Sequence, residues 1–89
     1  MKFELGKCLA TPGALNLMER EGMSFAELLG RHVSGDWGTL DREDIAANNA
    51  ALRHGARIFS SYVLPSGAKV WCITEADRST TTLLLPSEY

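Results

Sequence analysis

The sequence predicts an α+β domain in which a short N-terminal strand and three short helices precede a three-stranded antiparallel meander (β-α-α-α-β-β-β). The meander is predicted because residues 56–65, 68–79 and 80–86 carry β-branched and aromatic side chains with turn residues between them. The helices are predicted because three earlier segments each begin at a capping residue. The chain has 89 residues, 45% of them hydrophobic and 22% charged, so we expect one domain over residues 1–89.

The charge and composition narrow the classes of function. The net charge is −2 and the basic residues are scattered, whereas nucleic-acid binding usually requires clustered positive charge. Nucleic acid is therefore not an expected partner. No apolar run is long enough for a membrane span or a signal peptide, so we expect a cytoplasmic protein with no membrane partner. In that reducing compartment Cys8 and Cys72 are expected as free thiols, and no His or Cys spacing predicts a metal site or a cofactor.

Each predicted helix begins at a side chain that can accept a free backbone N–H, and each ends at a glycine. The three pairs of boundaries are Thr11 and Gly22, Ser24 and Gly35, and Asp41 and Gly55. Before the first helix, residues 2–9 alternate between apolar and polar side chains, which predicts a half-buried strand. In the third helix Asn48 or Asn49 falls on the buried stripe. We expect one of these amides to bond a strand edge or the loop at Asp36 and Trp37.

The register of the meander decides which side chains share a face. A two-residue turn at Ser66-Gly67 sets Tyr62 opposite Trp71, and a four-residue turn over 76–79 sets Trp71 opposite Leu84. Both faces are then apolar, and three short helices can cover only one. We expect the helices on the face with smaller side chains, and a protein partner, a second copy or the N-terminal strand on the Tyr62–Trp71–Leu84 face. The alternative is that loop 34–40 and the C-terminus cover it.

The loop Ser34-Gly35-Asp36-Trp37-Gly38 places a tryptophan between two glycines and beside an acid. The glycines let the backbone turn sharply, so the indole can lie against another group. Two interpretations remain open. Trp37 either adds to the interaction surface just described, or it fills the edge of the core while Asp36 bonds nearby backbone N–H groups.

A polar cluster is predicted at the end of the central strand, where Glu75, Asp77, Arg78 and Thr80 fall in one tight turn. With Asp36 they form a candidate polar site, because carboxylates beside a guanidinium can polarise a substrate or bind a phosphate. Asp and Ser are also ordinary turn residues, and Arg78 can simply pair with the acids. Both interpretations remain open, and no catalytic residue is assigned.

Three segments carry a resemblance to a known group of proteins. They are the loop 35–38, the helix start Glu43-Asp44 with Asn48, and the C-terminal run that includes Trp71, Ile73-Thr74-Glu75-Ala76-Asp77-Arg78-Ser79 and Glu88-Tyr89. The chain resembles small bacterial proteins of plasmids and integrative elements labelled "plasmid-related protein" or "type I restriction endonuclease subunit M". The resemblance covers nearly the whole chain and implies a mobile-element setting, but no activity and no site residue. A methyltransferase needs a doubly wound sheet with a glycine-rich cofactor turn, and this chain is too short for one.

Three hypotheses of function follow. The first is a non-enzymatic protein-binding protein, a homodimer or an adaptor, that modulates a host defence or maintenance system. The second rests on the order of elements, which is similar to that of RelE/ParE-type ribonuclease toxins; Arg78 would stabilise a phosphorane, and Glu75 or Asp77 would act as base. Those toxins are usually basic, whereas this chain is acidic. The third is a small ligand held between the loop at Asp36 and Trp37 and the turn 75–80.

Overall fold

The fold combines three helices with one four-stranded sheet, in a computed structural model that describes residues 1–89. The elements are β1 (Lys7–Ala10), α1 (Pro12–Arg20), α2 (Phe25–Val33), α3 (Arg42–His54), β2 (Ile58–Val63), β3 (Lys69–Thr74), β4 (Thr80–Leu84) and a short 3-10 helix (Pro86–Glu88). The predicted α+β class is therefore confirmed. The sheet is mixed rather than a meander alone, because β1 adds to it as a parallel strand beside β4.

The helix starts follow the predicted capping residues. The side chains of Thr11, Ser24 and Asp41 accept hydrogen bonds from backbone N–H groups in the first turns of α1, α2 and α3. Helix α3 ends at Gly55, which adopts a left-handed φ of 75° and donates its N–H to the Ala51 carbonyl. These local signals fix where the three helices begin, and a cap of this kind typically stabilises a helix by about 1 kcal/mol.

The strand order is β1-β4-β3-β2. Strand β1 is shorter than the predicted strand over residues 2–9, because the chain bends at Gly6, where φ is 63°. A side chain at this position would lie 2.3 Å from the Arg78 carbonyl oxygen, so the bend needs glycine. Before the bend, the Lys2 N–H donates to the Val33 carbonyl at the end of α2. The N-terminal residues therefore run beside the sheet and not within it.

The predicted register between β2 and β3 is wrong by one residue. Tyr62 pairs with Val70, and Trp71 pairs with Ser61. The hairpin loop has three residues, Pro65-Ser66-Gly67, because the Leu64 N–H bonds the Ala68 carbonyl at 2.8 Å and Gly67 takes a left-handed φ of 92°. A one-residue slip turns every side chain of a strand to the other face. Tyr62 therefore lies on the opposite face from Trp71, whereas the predicted pairing of Trp71 with Leu84 is confirmed.

One face of the sheet packs against the helices and forms the core. From β3 and β4 this face presents the smaller side chains, as predicted, and from β2 it presents Ile58, Ser60 and Tyr62. The main cluster of buried residues comprises Ala14, Leu17, Met18, Leu28, Tyr62, Leu64, Val70, Cys72 and Leu83. A second, smaller cluster comprises Trp37, Ala51 and Ile58. All three α-helices contribute to this side. On the outer face, the C-terminal residue Tyr89 packs on Trp71, so the C-terminus covers that face in part.

The outer edge of β2 is closed by other parts of the chain. The Asn48 side chain on α3 donates to the Phe59 carbonyl at 2.6 Å and accepts from the Phe59 N–H at 2.9 Å. Two positions along, the Ser61 N–H bonds the Trp37 carbonyl and the Ser61 carbonyl accepts from the Thr39 N–H. The sequence predicts that Asn48 or Asn49 bonds a strand edge or the loop at Asp36 and Trp37, and Asn48 bonds the strand edge. No backbone group of Phe59 or Ser61 remains free for a further strand.

Candidate functional site

A group of four neighbouring apolar side chains, Phe59, Trp71, Ile73 and Leu84, lies on the outer face of the sheet, and we call it the Trp71 surface. Pairing across the sheet sets Phe59 beside Ile73 and Trp71 beside Leu84. The rings of Phe59 and Trp71 meet edge to face, with their centroids 5.1 Å apart. Both rings remain partly exposed, and beneath them Ile73 and Leu84 are nearly buried. The aromatic pair is therefore the part of this surface that a partner would touch.

A groove of about 220 Å3 opens on this surface between Arg57, Phe59, Trp71, Ile73 and Tyr89. The Tyr89 ring packs on the edge of Trp71 at 5.7 Å. At the rim, Arg57 Nε bonds Glu75 Oε1 at 3.0 Å and Arg57 Nη1 bonds the Tyr89 hydroxyl at 3.1 Å. This ion pair raises the pKa of Arg57, first through the hydrogen bond to Glu75. The groove thus has an apolar floor and a rim with one charge of each sign.

Two members of the predicted interaction surface lie elsewhere. Tyr62 is 1% exposed, and its hydroxyl donates to the Asp36 carbonyl at 2.7 Å. Burial raises the pKa of Tyr62, and the Arg31 guanidinium lies 4.5 Å from the centre of its ring. Trp37 is 8% exposed and stacks on Phe3 at 6.2 Å. Of the predicted surface residues, only Trp71 and Leu84 lie on the outer face, and Trp37 has the position that the core-filling interpretation describes.

The predicted polar residues bond their own surroundings. Asp36 pairs with Arg31 at 2.7 Å and accepts from the Gly38 N–H, and the bond to Arg31 is the main reason why the pKa of Asp36 is lowered. Glu75 belongs to the ion pair with Arg57 at the groove rim. Asp77 accepts from the Ser79 N–H at 2.9 Å, as an ordinary turn aspartate does, and its bonds to Ser79 lower its pKa. Thr80 is half-buried and pairs with Lys7 across β4 and β1.

Arg78 holds the backbone of the turn and of α3 together. Its guanidinium donates to the carbonyls of Ala56 at 2.7 Å, Ala51 at 3.0 Å, and Glu75 and Ala76 at 3.1 Å. The residue also takes a left-handed φ of 61°, which is unusual for a side chain of this kind. The donors that would bind a phosphate are therefore engaged by main-chain oxygens.

The Phe3 ring lies between the two loops that sequence analysis proposed as walls of a ligand site. It stacks on Trp37, and the Arg78 guanidinium lies 5.8 Å from its centre on the other loop. It also meets the His32 ring edge to face at 5.2 Å. The N-terminal segment thus occupies the region where a small ligand was expected.

A buried chain of hydrogen bonds centred on His32 was not predicted. His32 Nδ1 lies 2.6 Å from Ser60 Oγ, and Nε2 lies 3.0 Å from Thr74 Oγ1, which lies 2.6 Å from Thr81 Oγ1. The Thr81 hydroxyl donates to the Leu5 carbonyl. Each hydroxyl has one proton, so Thr74 donates to Thr81 and accepts from Nε2–H, and Ser60 donates to Nδ1. Because burial lowers the pKa of His32 to about 4, the ring is neutral near pH 7 and carries its proton on Nε2.

The His32 network is a structural element of the core. His32, Ser60, Thr74 and Thr81 are each fully buried, so no substrate reaches the Ser60–His32 pair. Desolvation lowers the pKa of His32 from 6.5 to about 4. The signal that sequence analysis missed is the alternation of Ser60, Thr74 and Thr81 on one face of the strands, opposite a histidine on an apolar helix face.

A second apolar groove, which sequence analysis also missed, lies beside β1. Its volume is about 220 Å3, and its walls are Cys8, Leu9, Ala10, Leu15, Phe25, Leu29 and Leu83. Three of these side chains are unusually exposed for their type, namely Leu9 at 44%, Leu15 at 42% and Phe25 at 38%. Exposed leucine and phenylalanine around an apolar groove are typical of an interaction surface.

Comparison of the chain with protein-family models, with curated proteins and with solved structures finds no match in any of the three. The helices are too short and too polar for any of them to cross a membrane. No three His, Cys, Asp or Glu side chains come together in a way that could hold a metal ion. The proposals below therefore rest on the geometry of this chain.

Proposed function

We propose that this chain is a non-enzymatic accessory domain that binds another protein through the Trp71 surface. The observation that carries the proposal is the edge-to-face pair of Phe59 and Trp71, partly exposed on the sheet face that no α-helix covers. Tryptophan and tyrosine dominate the energetics of protein interfaces, because they bury a large area at a low cost in conformational entropy. The ring of Tyr89, packed against Trp71, extends the same surface.

The groove on this surface fits a protein side chain. A cavity of about 220 Å3 accommodates one large apolar side chain, and its floor of Phe59, Trp71 and Ile73 is apolar. The paired Arg57 and Glu75 at the rim offer a donor and an acceptor to a peptide backbone. With a net charge of −2 the chain would repel RNA. The bacterial mobile-element setting rests on the sequence resemblance, and in that setting the partner would belong to a host defence or maintenance system.

A photo-crosslinking pair tests this proposal. Val63 lies on the outer face near Trp71 and is 47% exposed, whereas Ile45 on α3 is 39% exposed and serves as the matched control. With a photoreactive phenylalanine at each position in turn, we expect Val63 to give one discrete adduct with a different protein in native host cells, and Ile45 to give none. The adduct should disappear in a Trp71→Thr variant that keeps a wild-type circular dichroism spectrum. Equal adducts from both positions, no adduct, or only an adduct with a second copy of the chain contradicts the proposal.

A further inference from the structure

We propose that a second copy of this chain binds along the open edge of β1, antiparallel and centred on Leu9. The product is a two-fold symmetric dimer whose two four-stranded sheets join into one continuous sheet. This dimer site is separate from the Trp71 surface, and it does not depend on the function proposed above.

The first observation is that β1 has a free backbone edge. Lys7 and Thr11 donate their N–H groups toward the β4 segment, at 2.9 and 3.0 Å. In a parallel pair, alternate residues bond the neighbouring strand, so the N–H and C=O groups of Cys8 and Ala10 point away from it. No other part of the chain bonds these four groups. The opposite edge of the sheet, at β2, is closed by Asn48 and by the loop that contains Trp37.

The second observation is the apolar groove beside that edge. The exposed side chains of Leu15 and Phe25 line it on the helix side, and its walls are all hydrophobic, whereas the side chain of Leu9, which pairs with Thr82, lies on the outer face of the same edge. A free strand edge with an adjoining apolar groove meets both requirements for strand addition, in which main-chain bonds supply affinity and side-chain pockets supply specificity. An unpaired strand edge of this kind is a template for pairing with another chain.

The register follows from the hydrogen-bonding groups. When the two-fold axis passes between the two Leu9 residues, Cys8 of each copy lies opposite Ala10 of the other copy. All outward N–H and C=O groups of these residues are then paired. Centring on Ala10 would set Cys8 opposite Pro12, which has no N–H. Centring on Cys8 would set Ala10 opposite Gly6, whose φ of 63° is not extended. Only the Leu9 register uses both outward residues, and it brings the two Leu9 side chains together.

The occupant is a second copy because the surface is self-complementary. With about 200 Å2 for a large apolar side chain, exposed fractions near 40% leave roughly 80 Å2 on Leu9, on the outer face of the edge, and the same on each of Leu15 and Phe25, on its helix side, or about 240 Å2 per copy. A second copy brings the same area, whereas a lone extended peptide brings only its own few side chains. The sum of about 480 Å2, to which the paired strands add, is well below the about 1,600 Å2 of a standard interface. The dimer is therefore weak, and its population depends on the concentration of the chain.

The arrangement has a consequence for the Trp71 surface. A two-fold axis between antiparallel edge strands stands perpendicular to the sheet, so the outer faces of both copies lie on the same side. The dimer then presents two Trp71 surfaces in one direction, and a partner with two binding segments gains from simultaneous engagement. This consequence rests on the proposed function, whereas the dimer itself does not.

Light scattering coupled to size exclusion tests the dimer. At about 200 μM the mass of the wild-type chain should move from 9.7 kDa toward twice that value, and at about 1 μM it should return to 9.7 kDa. Leu9→Asp should remain at the monomer mass, because it sets two like charges face to face. Val63→Asp is the matched control, because Val63 is similarly exposed but lies on β2, at the opposite edge of the sheet. The Val63→Asp variant should still dimerise. A monomeric wild-type chain at the highest concentration, or equal loss in both variants, overturns the proposal.

Cross-linking tests the register independently. The two Leu9 positions form a non-hydrogen-bonded pair with Cα atoms about 4.5 Å apart, within the range that a disulfide spans. In a Cys8→Ser background, Leu9→Cys should oxidise rapidly to a covalent dimer, and Val63→Cys should not. The buried thiol of Cys72 stays out of the reaction in both proteins. A covalent dimer from wild-type Cys8 but not from Leu9→Cys overturns the Leu9 register.

Discussion

The buried His32 ring makes the stability of this fold depend on pH. Its pKa is about 4 in the folded chain and 6.5 when exposed, so between these values the unfolded chain binds more protons. The free energy of unfolding is therefore highest above about pH 6.5 and falls as the pH falls toward 4. The ring packs edge to face against Phe3 and Trp37 and hydrogen-bonds Ser60 and Thr74, none of which is charged. Desolvation is thus the cause of the shift.

The magnitude follows from the two pKa values. At about 1.36 kcal/mol per pH unit, the full difference between 6.5 and 4 corresponds to roughly 3.4 kcal/mol. From about pH 7.5 to about pH 5, where the folded ring is still mostly neutral, the expected loss is about 2 kcal/mol. The pKa values of Asp36, Asp77 and Glu88 are lowered in the fold, so their contribution is lost only at lower pH, below the range of the measurement.

Urea unfolding at several pH values between about 7.5 and 5 measures this effect. With a slope near 1 kcal/mol/M for a small domain, the midpoint should fall by about 2 M across the range. The His32→Gln variant should be less stable, and its urea midpoint should change little with pH. The His54→Gln variant, altered at the exposed end of α3, should keep the wild-type dependence of the midpoint on pH. A flat wild-type profile, or a profile that persists in His32→Gln, refutes the reasoning.

Three further predictions concern side chains that bond the backbone or are buried. Asn48→Ala leaves the N–H and C=O of Phe59 without partners, so in urea titrations the free energy of unfolding should fall by about 2–4 kcal/mol. Arg78→Ala removes the guanidinium donor from four carbonyl groups, of which those of Ala51 and Glu75 keep a backbone donor, and the same measurement should show a loss of about 2–3 kcal/mol. Cys8 is exposed and should react with a thiol reagent in the native protein, as counted by mass spectrometry. Cys72 should react only after unfolding, because burial raises the pKa of its thiol.

Neighbouring residues supply the controls for these predictions. Asn49→Ala and Arg53→Ala alter exposed residues of α3 and should each cost less than about 0.5 kcal/mol. If Asn49→Ala costs as much as Asn48→Ala, the edge bonds are not the cause. If Arg78→Ala leaves the free energy of unfolding unchanged, the guanidinium does not support the turn and is available for chemistry. Modification of Cys72 at the rate of Cys8 in native protein would show that the core opens readily.

The helix boundaries could be predicted because their signals are local. Thr11, Ser24 and Asp41 each cap the helix that directly follows, and Gly55 ends α3 in the left-handed region. The bond from Asn48 to a strand edge was also predictable, since a buried amide must find partners. The helix boundaries follow from a few neighbouring residues, and the bond of Asn48 follows from the rule that buried polar groups are hydrogen-bonded.

The register of β2 could not be predicted, because it depends on whether the hairpin loop has two residues or three. Ser66-Gly67 suits both, and the choice moves Tyr62 from the Trp71 surface into the core. The role of Arg78 was likewise hidden, since its carbonyl partners Ala51, on α3, and Ala56, just after α3, are distant in sequence. The parallel pairing of β1 with β4 involves residues at opposite ends of the chain and leaves no local pattern.

The most direct test of the central claim uses the two tryptophans as fluorine probes. In protein labelled with fluorotryptophan, Trp71 reports on the outer face, and Trp37, 8% exposed in the core, serves as the internal control. When extract of the native host is added, the Trp71 resonance should shift or broaden while the Trp37 resonance stays in place, and extract of unrelated cells should change neither. If both resonances stay unchanged in native extract, or if they always move together, the Trp71 surface does not bind a protein partner.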